Sequence, residues 1–173
     1  MANPARKPRV FVDANILFSA AAFPRWSYEV IQHAVAGDFQ LTLSSLVIKQ
    51  ARRNLQKRFP RRIKQFDELL ELTGYEPIQD PSPDDIELNR DLVRDFSDVA
   101  VALAVLAAKV DYFVSEDKDF TAKDKTTEKF KELVDVKLAG TFLREVMGWT
   151  SEELEGIRYR QWSDIAGLVE EPE

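Results

Sequence analysis

Four short apolar runs rich in β-branched and aromatic residues, RVFV (9–12), FQLTL (39–43), VDYFVS (110–115) and VDVKL (134–138), punctuate longer stretches of helical periodicity. Strands joined through helices pair side by side in parallel, because a parallel pair needs a long crossover that a tight turn cannot supply. The pattern therefore predicts an α/β fold, a three-layer sandwich with a short, mostly parallel central sheet flanked by helices on both faces. At 173 residues the chain suits one domain with a sizeable core and little else.

The intervening segments carry their own stop signals. Pro24 must end the short helix that follows RVFV and its next residue Asp13, and WSYEVIQHAVAG (26–37) sets Val30, Ile31, Ala34 and Val35 on one face before Gly37. Ser44 or Ser45 can cap a helix running to Arg58, where Pro60 breaks it; RIKQFDELLELTG (62–74) repeats Ile63, Phe66, Leu69 and Leu70 and stops at Gly74. PIQDPSPDD (77–85) reads as the one clear loop, ending in a capping box of Ser82 and Asp85 with Pro83 at the first helical position. A helix from Asp84 to about Arg94 is expected next. SDVAVALAVLAAK (97–109) is apolar nearly all round and predicts a buried helix packed on the sheet.

Acids recur where these strands end. Asp13 closes the first strand, Glu116, Asp117 and Asp119 follow the third, and Asp98 opens the buried helix leading into it. Each has a plain structural reading, since Asp is a favoured helix cap and SEDKDF is rich in turn formers. Open parallel sheets nevertheless build their sites at the carboxyl ends of strands, so the three coincidences point to one edge. Converging carboxylates raise one another's pKa and need a cation to ionise together. An all-oxygen cluster suits Mg2+ or Mn2+, the metals that assist phosphodiester hydrolysis.

Other chemistries find no footing. Cysteine is absent, His33 is the lone histidine and reads as mid-helix, and there is neither a Gly-rich phosphate loop nor a GxSxG nucleophile turn. No run reaches the roughly 18 apolar residues of a membrane span and MANPARKPRV lacks the apolar centre of a signal peptide, so a soluble, cytoplasmic protein without membrane contact is expected.

Charge is unevenly spread along the chain, whose net charge is −6. Between Phe39 and Phe66 there is no acid, while Lys49, Arg52, Arg53, Lys57, Arg58, Arg61, Arg62 and Lys64 supply eight cations. After Thr150 the balance reverses through Glu152, Glu153, Glu155, Asp164, Glu170, Glu171 and Glu173. Spacing Arg53, Lys57 and Arg61 about one turn apart makes a positive ridge, read either as a solvated helix face or as a track for phosphates, with Arg52, Arg58 and Arg62 beside it.

These motifs together resemble the PIN-domain nuclease family, especially the VapC-like toxin endoribonucleases of toxin–antitoxin systems. VFVDANILFSA (10–20) looks like the family's opening strand, first Asp and following Asn; DFSDVAVALAVLAAKVDYFVSEDKDF (95–120) resembles the second half, in which an Asp begins a helix and the next strand runs into a Thr or Ser, any residue, Asp motif. VKLAGTFLREV (136–146) resembles the last strand and helix, so the likeness spans about residues 9–147. It implies a PIN-like nuclease domain over 1–148 followed by an acidic C-terminal helix and tail over 149–173.

The resemblance also assigns roles. It makes Asp13, Asp98 and Asp117 the acids that hold Mg2+ or Mn2+, Asp119 a fourth catalytic acid, and Asn15 and Ser115 the groups that orient them by hydrogen bonds. RNA becomes the substrate, an antitoxin protein a partner, and a homodimer the expected assembly. One position departs: in SSLVIKQARRNL (44–55) the family's usual Glu is replaced, with Gln50 the favoured aligned position and Lys49 the neighbour. Three outcomes stay open, namely a variant working with fewer acids, an engineered inactive form, and a catalytically degenerate PIN-like module that binds RNA or protein without cutting.

Overall fold

The structure, a computed structural model, describes residues 6–165. The expected acids Glu170, Glu171 and Glu173 lie outside these residues. Strand β1 (Arg9–Val12) runs into α1 (Ala14–Ala22) and α2 (Trp26–Val35), and β2 (Gln40–Ser44) into α3 (Ser45–Arg58) and α4 (Ile63–Thr73). β3 (Glu76–Ile78) leads to α5 (Pro83–Leu88) and α6 (Val99–Ala108). β4 (Tyr112–Val114) is followed by α7 (Lys118–Thr121) and α8 (Lys125–Leu133), and β5 (Val136–Lys137) by α9 (Ala139–Glu145) and α10 (Ser151–Gly156).

All five strands are parallel in the order β3-β2-β1-β4-β5. Right-handed crossovers place the helices between β1, β2 and β3 on one face and those between β3, β4 and β5 on the other. The predicted three-layer α/β sandwich is therefore present, and the sheet is wholly parallel. α1 packs on α2, α3 and α4, while α6 lies against β2 and β3. Phe11 and Phe113, partners in the register, meet edge to face at 5.8 Å, and Phe113 meets Phe120 at 5.0 Å. Phe120 is fully buried, which anchors the short turn carrying Asp117 and Asp119 to the core.

Two helix ends follow the sequence signals closely. Gly74 takes the left-handed conformation after α4, at φ +58°, and Ser82 accepts a hydrogen bond from Asp85 N with Pro83 beginning α5. α6 buries Val99, Val101, Ala102, Ala104, Val105 and Ala108, as its composition required. Described residues contain no helix long and apolar enough to cross a membrane.

Three expectations are corrected. A fifth strand, Glu76–Ile78, occupies the start of the expected loop: it pairs only with β2, and an edge strand tolerates Pro77 because the missing N–H faces away from the ladder. The helix expected from Asp84 to Arg94 ends at Leu88, which is 82% exposed, because Ile86 is its only partly buried side chain and Asn89 folds back onto the Asp85 carbonyl. The buried helix starts later than Ser97, at Val99, after a single 3-10 turn over Phe96–Asp98.

Candidate metal centre at the carboxyl edge of the sheet

β1 connects to β2 on one side and pairs with β4 on the other, so chain order reverses between β1 and β4. The carboxyl ends of strands at such a reversal leave a crevice open. Asp13 sits there, one residue beyond β1, with its backbone N–H donating to Val114 O at 2.9 Å. Its carboxylate is only 5% exposed. Oδ1 accepts from Ala14 N at 2.8 Å, which caps α1, and Oδ2 accepts from the Ser115 hydroxyl at 2.7 Å. Asp13 is thus both the helix cap and a buried acid; burial pushes its pKa up, against the lowering effect of these hydrogen bonds.

Ser115, one residue beyond β4, joins two acids. Its hydroxyl donates to Asp13 and accepts from Asp117 N at 3.0 Å. Asn15 makes a parallel link, donating weakly to Asp13 Oδ2 at 3.4 Å and accepting from Glu116 N at 3.2 Å. Both residues expected to orient the acids therefore touch Asp13. Asp117 accepts from Asp119 N and caps α7, so the turn SEDKDF is built by the same carboxylate whose charge raises the pKa of Asp13 and of Asp98. Glu116 is not part of this group: its Oε1 accepts from Ala139 N at 2.9 Å, at the start of α9.

Three more acids gather near the same edge. Asp95, Asp98 and Asp119 each offer a carboxylate oxygen, and these atoms lie within 4.8 Å of one another. Asp98 makes no capping bond to α6; Asp95 caps the preceding 3-10 turn, accepting from Ser97 N at 2.9 Å and from the Ser97 hydroxyl at 2.8 Å. The plain reading of Asp98 as a helix cap is thereby removed. Buried Val93 and Val99 pin the segment at either end.

Asp98 and Asp119 bring carboxylate oxygens within 4.8 Å of one another. Burial, the hydrogen bonding of the protonated form to Asp119 and the charges of Asp117, Asp119 and Asp95 push the Asp98 pKa up to about 8. Asp119 is held low by that same bond and by the Arg94 guanidinium, whose Nε donates to Oδ1 at 2.6 Å. Arg94 also bonds Asp124 at 3.0 Å, tying α7 to α8.

Asp95 was not singled out by sequence reading, and neither was Arg94. The available signal was the DxxD spacing of Asp95 and Asp98 just before an apolar helix. Gln50 lies on α3, six residues beyond Ser44 and so about 9 Å along the helix. It borders the buried stripe of Val47, Ala51 and Leu55, whereas Lys49 is exposed.

The cationic arm runs along α3 and the 3-10 turn Pro60–Arg62. Arg53, Lys57 and Arg61 are exposed. Arg52 is committed to Asp67 at 2.5 Å and lies over the Phe66 ring; Arg58 stacks over Phe18 and Phe59, and Arg62 over Trp162 at 4.6 Å. Arg58, Arg61 and Arg62 line a cavity of about 480 Å3 together with Phe23, Phe59 and Trp162.

The donor set fits a hard divalent cation. Asp95, Asp98 and Asp119 offer carboxylate oxygens, the hard donors that Mg2+ and Mn2+ take, and Arg94 pairs with one of them. Ser44 adds an orphaned hydroxyl: it is fully buried, its Oγ has no partner, and the register of β1 and β2 sets it in the row of Asp13.

Residues 9–119 match the sequence profile of the PIN domain family. No curated protein matches the chain. Its fold is similar to the crystal structure of PAE2754 from Pyrobaculum aerophilum, with a TM-score of 0.51 and 20% identity, over 73% of this chain and 89% of that one.

Proposed function

Because this chain belongs to the PIN domain family, we propose that it is a divalent-metal-dependent endoribonuclease that hydrolyses RNA phosphodiester bonds. Domains of this family are generally nucleases. The observation that supports the metal dependence is the gathering of carboxylates at the β1–β4 reversal, where Asp95, Asp98 and Asp119 bring oxygens within 4.8 Å of one another and buried Asp13 lies one residue beyond β1.

Asp13, Asp98 and Asp117 hold the cation in this reading, with Asp119 beside them. Mg2+ or Mn2+ supplies Lewis acidity that favours ionised water and offsets phosphate charge. Ser115 and Asn15 fix the Asp13 carboxylate, and the Ser115 oxygen fixes the Asp117 backbone, so the acids cannot swing apart. A bound cation would favour the ionised form of Asp98. Arg53, Lys57 and Arg61, with Arg52, Arg58 and Arg62 alongside, contact RNA phosphates away from the scissile bond.

The finer role is that of the toxin in a toxin–antitoxin pair, working as a homodimer and restrained by an antitoxin. It rests on the likeness of VFVDANILFSA and SEDKDF to VapC-like toxins. Gln50 favours a second reading, a PIN-like module that binds RNA or protein without cutting. Purified protein incubated with mixed RNA and Mn2+, with EDTA and Asp13→Asn as controls, separates the two. Cleavage that survives Asp13→Asn comes from a contaminant and sinks the nuclease assignment; RNA binding without cleavage establishes the module.

A further inference from the structure

We infer that the cavity bordered by the end of α1, the end of α3 and the turn Trp162–Asp164 is a base-stacking site, which takes one unpaired nucleotide of the RNA strand away from the scissile bond. The inference rests on the reading of RNA as substrate given above and deepens it.

The cavity lies where three chain breaks meet. Pro24 follows α1, Pro60 follows α3, and the 3-10 turn Trp162–Asp164 closes the remaining side. Its volume of about 480 Å3 is that of a pocket for a small organic ligand. The aromatic lining is fixed in place: Phe23 and Phe59 meet edge to face at 5.5 Å, and Trp162 donates from Nε1 to Ala22 O at 3.1 Å while its ring meets Tyr28 at 5.3 Å. Rings held in this way lose little freedom when a ligand stacks on them.

The charged lining selects the ligand. Arg58 lies 4.9 Å from the Phe18 ring centre and 5.5 Å from that of Phe59, and Arg62 lies 4.6 Å from that of Trp162. Among the described residues no acid lines the cavity, and no hydrogen bond or ion pair engages the Arg58 guanidinium, whose N–H groups can therefore take a phosphate. A purely apolar guest would desolvate these cations without pairing them. A nucleotide uses both features, because its base stacks on rings and guanidinium planes while its phosphate meets the charge. Arginine stems that merely covered apolar surface would close this gap, whereas here they border it.

Position favours a nucleotide of the strand over a free one. The arm of Arg53, Lys57 and Arg61 runs to the cavity, which Arg61 lines. Phe23 also lines a neighbouring cleft with Ser19, Arg25, Arg158 and Glu116, the last adjacent to Asp117. Helix α1 spans only about 13 Å from Ala14, beside Asp13, to Ala22 at the cavity. An RNA with one phosphate at the acids and its backbone on the arm is within reach of the cavity between them.

The test is binding of a short labelled single-stranded RNA to the full chain in EDTA, with the same sequence as a duplex for comparison. Trp162→Leu should lower single-strand affinity about 5–150-fold, the range of one stacked base. It should leave the salt slope unchanged, since no charge is lost, and should leave duplex affinity unaltered, since paired bases cannot enter. Trp162→Phe keeps a ring and should retain most of the affinity. Arg58→Lys keeps the charge but loses the plane, and should bind the single strand more weakly than the parent. Arg58 is exposed, so this variant decides the matter if circular dichroism shows that Trp162→Leu has not folded. Single-strand affinity indifferent to the folded variants overturns the inference and leaves the cavity to a protein partner, or to free nucleotides if adenosine monophosphate quenches Trp162 emission. In that case a loss on Arg53→Ala with Lys57→Ala keeps the RNA reading intact. Equal losses for single strand and duplex overturn base stacking, and no RNA binding by the parent sinks both readings.

Discussion

Ser115 and Asp13 meet across the β1–β4 pair: the serine hydroxyl, fully buried, donates at 2.7 Å to an aspartate that is itself nearly inaccessible. A hydrogen bond to a buried charge contributes more than one between neutral groups. Ser115→Ala should therefore cost about 1–3 kcal/mol, lowering the melting temperature by several degrees, and should weaken Mn2+ binding as Asp13 and the Asp117 backbone lose their common anchor. Ser115→Thr keeps the hydroxyl and should retain most of both. Equal loss in the two variants would show that the pocket cannot accept a methyl group, and would leave the hydroxyl without the assigned role.

Asp13 itself should behave in the opposite way. Its burial raises its pKa, so the ionised form opposes folding in the absence of a cation. Asp13→Asn should leave the metal-free melting temperature unchanged or raise it by a few degrees, while removing metal-dependent cleavage. Sites built for function commonly carry such a stability cost. A large fall in metal-free stability would mean that the carboxylate serves the fold more than the site.

Sequence showed the edge of this site more clearly than its interior. Asp13, Asp98 and Asp117 stood out because each marks the boundary of an apolar element, a feature that survives without coordinates. Asp95 looked like one more acid in a polar stretch, and only the 3-10 turn brings it to Asp98. Glu116 failed in the other direction: adjacent to Asp117, it points along the opposite side of an extended segment and reaches the start of α9. β3 was hidden because three residues including Pro77 show no alternation, and its existence depends on the exposed edge of β2.

The raised pKa of Asp98 gives a pH signature. Folded Asp98 keeps its proton up to about pH 8, whereas an unfolded aspartate releases it near 4. Between these values the native state binds the extra proton, so this group's contribution is fully present below about pH 4 and is lost as pH rises to 8. Asp119, held low, contributes in the other sense as pH falls below the ordinary carboxylate range. Metal-free protein should lose stability between pH 5 and 8.5, and Mn2+ should restore it increasingly over that range. At pH 7 calorimetry in buffers of different ionisation enthalpy should show about one proton released per cation bound. Binding without proton release would place the cation away from Asp98.

The cationic arm divides into engaged and exposed groups, and RNA affinity should divide with it. Arg52 is paired with Asp67, so Arg52→Ala should matter less than Arg53→Ala combined with Lys57→Ala. Each phosphate contact to a single strand should contribute about 0.7 log units of affinity per tenfold change in salt. The double variant should thus flatten the salt dependence by roughly 1.4 log units, measured by fluorescence anisotropy with a labelled RNA in EDTA. An unchanged slope would leave the arm as ordinary solvated surface.

Gln50 decides whether α3 still reaches the site. Glutamine keeps the length of a glutamate and one acceptor oxygen but lacks the charge, and its place beside the buried stripe of α3 permits the exchange without disturbing the fold. Gln50→Glu should lower the Mn2+ or Mg2+ concentration needed for cleavage and raise the rate, with little change in metal-free melting temperature. Lys49 is exposed, so Lys49→Glu should do neither. If Lys49→Glu activates and Gln50→Glu does not, the helix presents its neighbouring residue to the edge. If Gln50→Glu changes neither metal binding nor cleavage, α3 has no part in the metal centre, and the carboxylates of the β1–β4 reversal hold it alone.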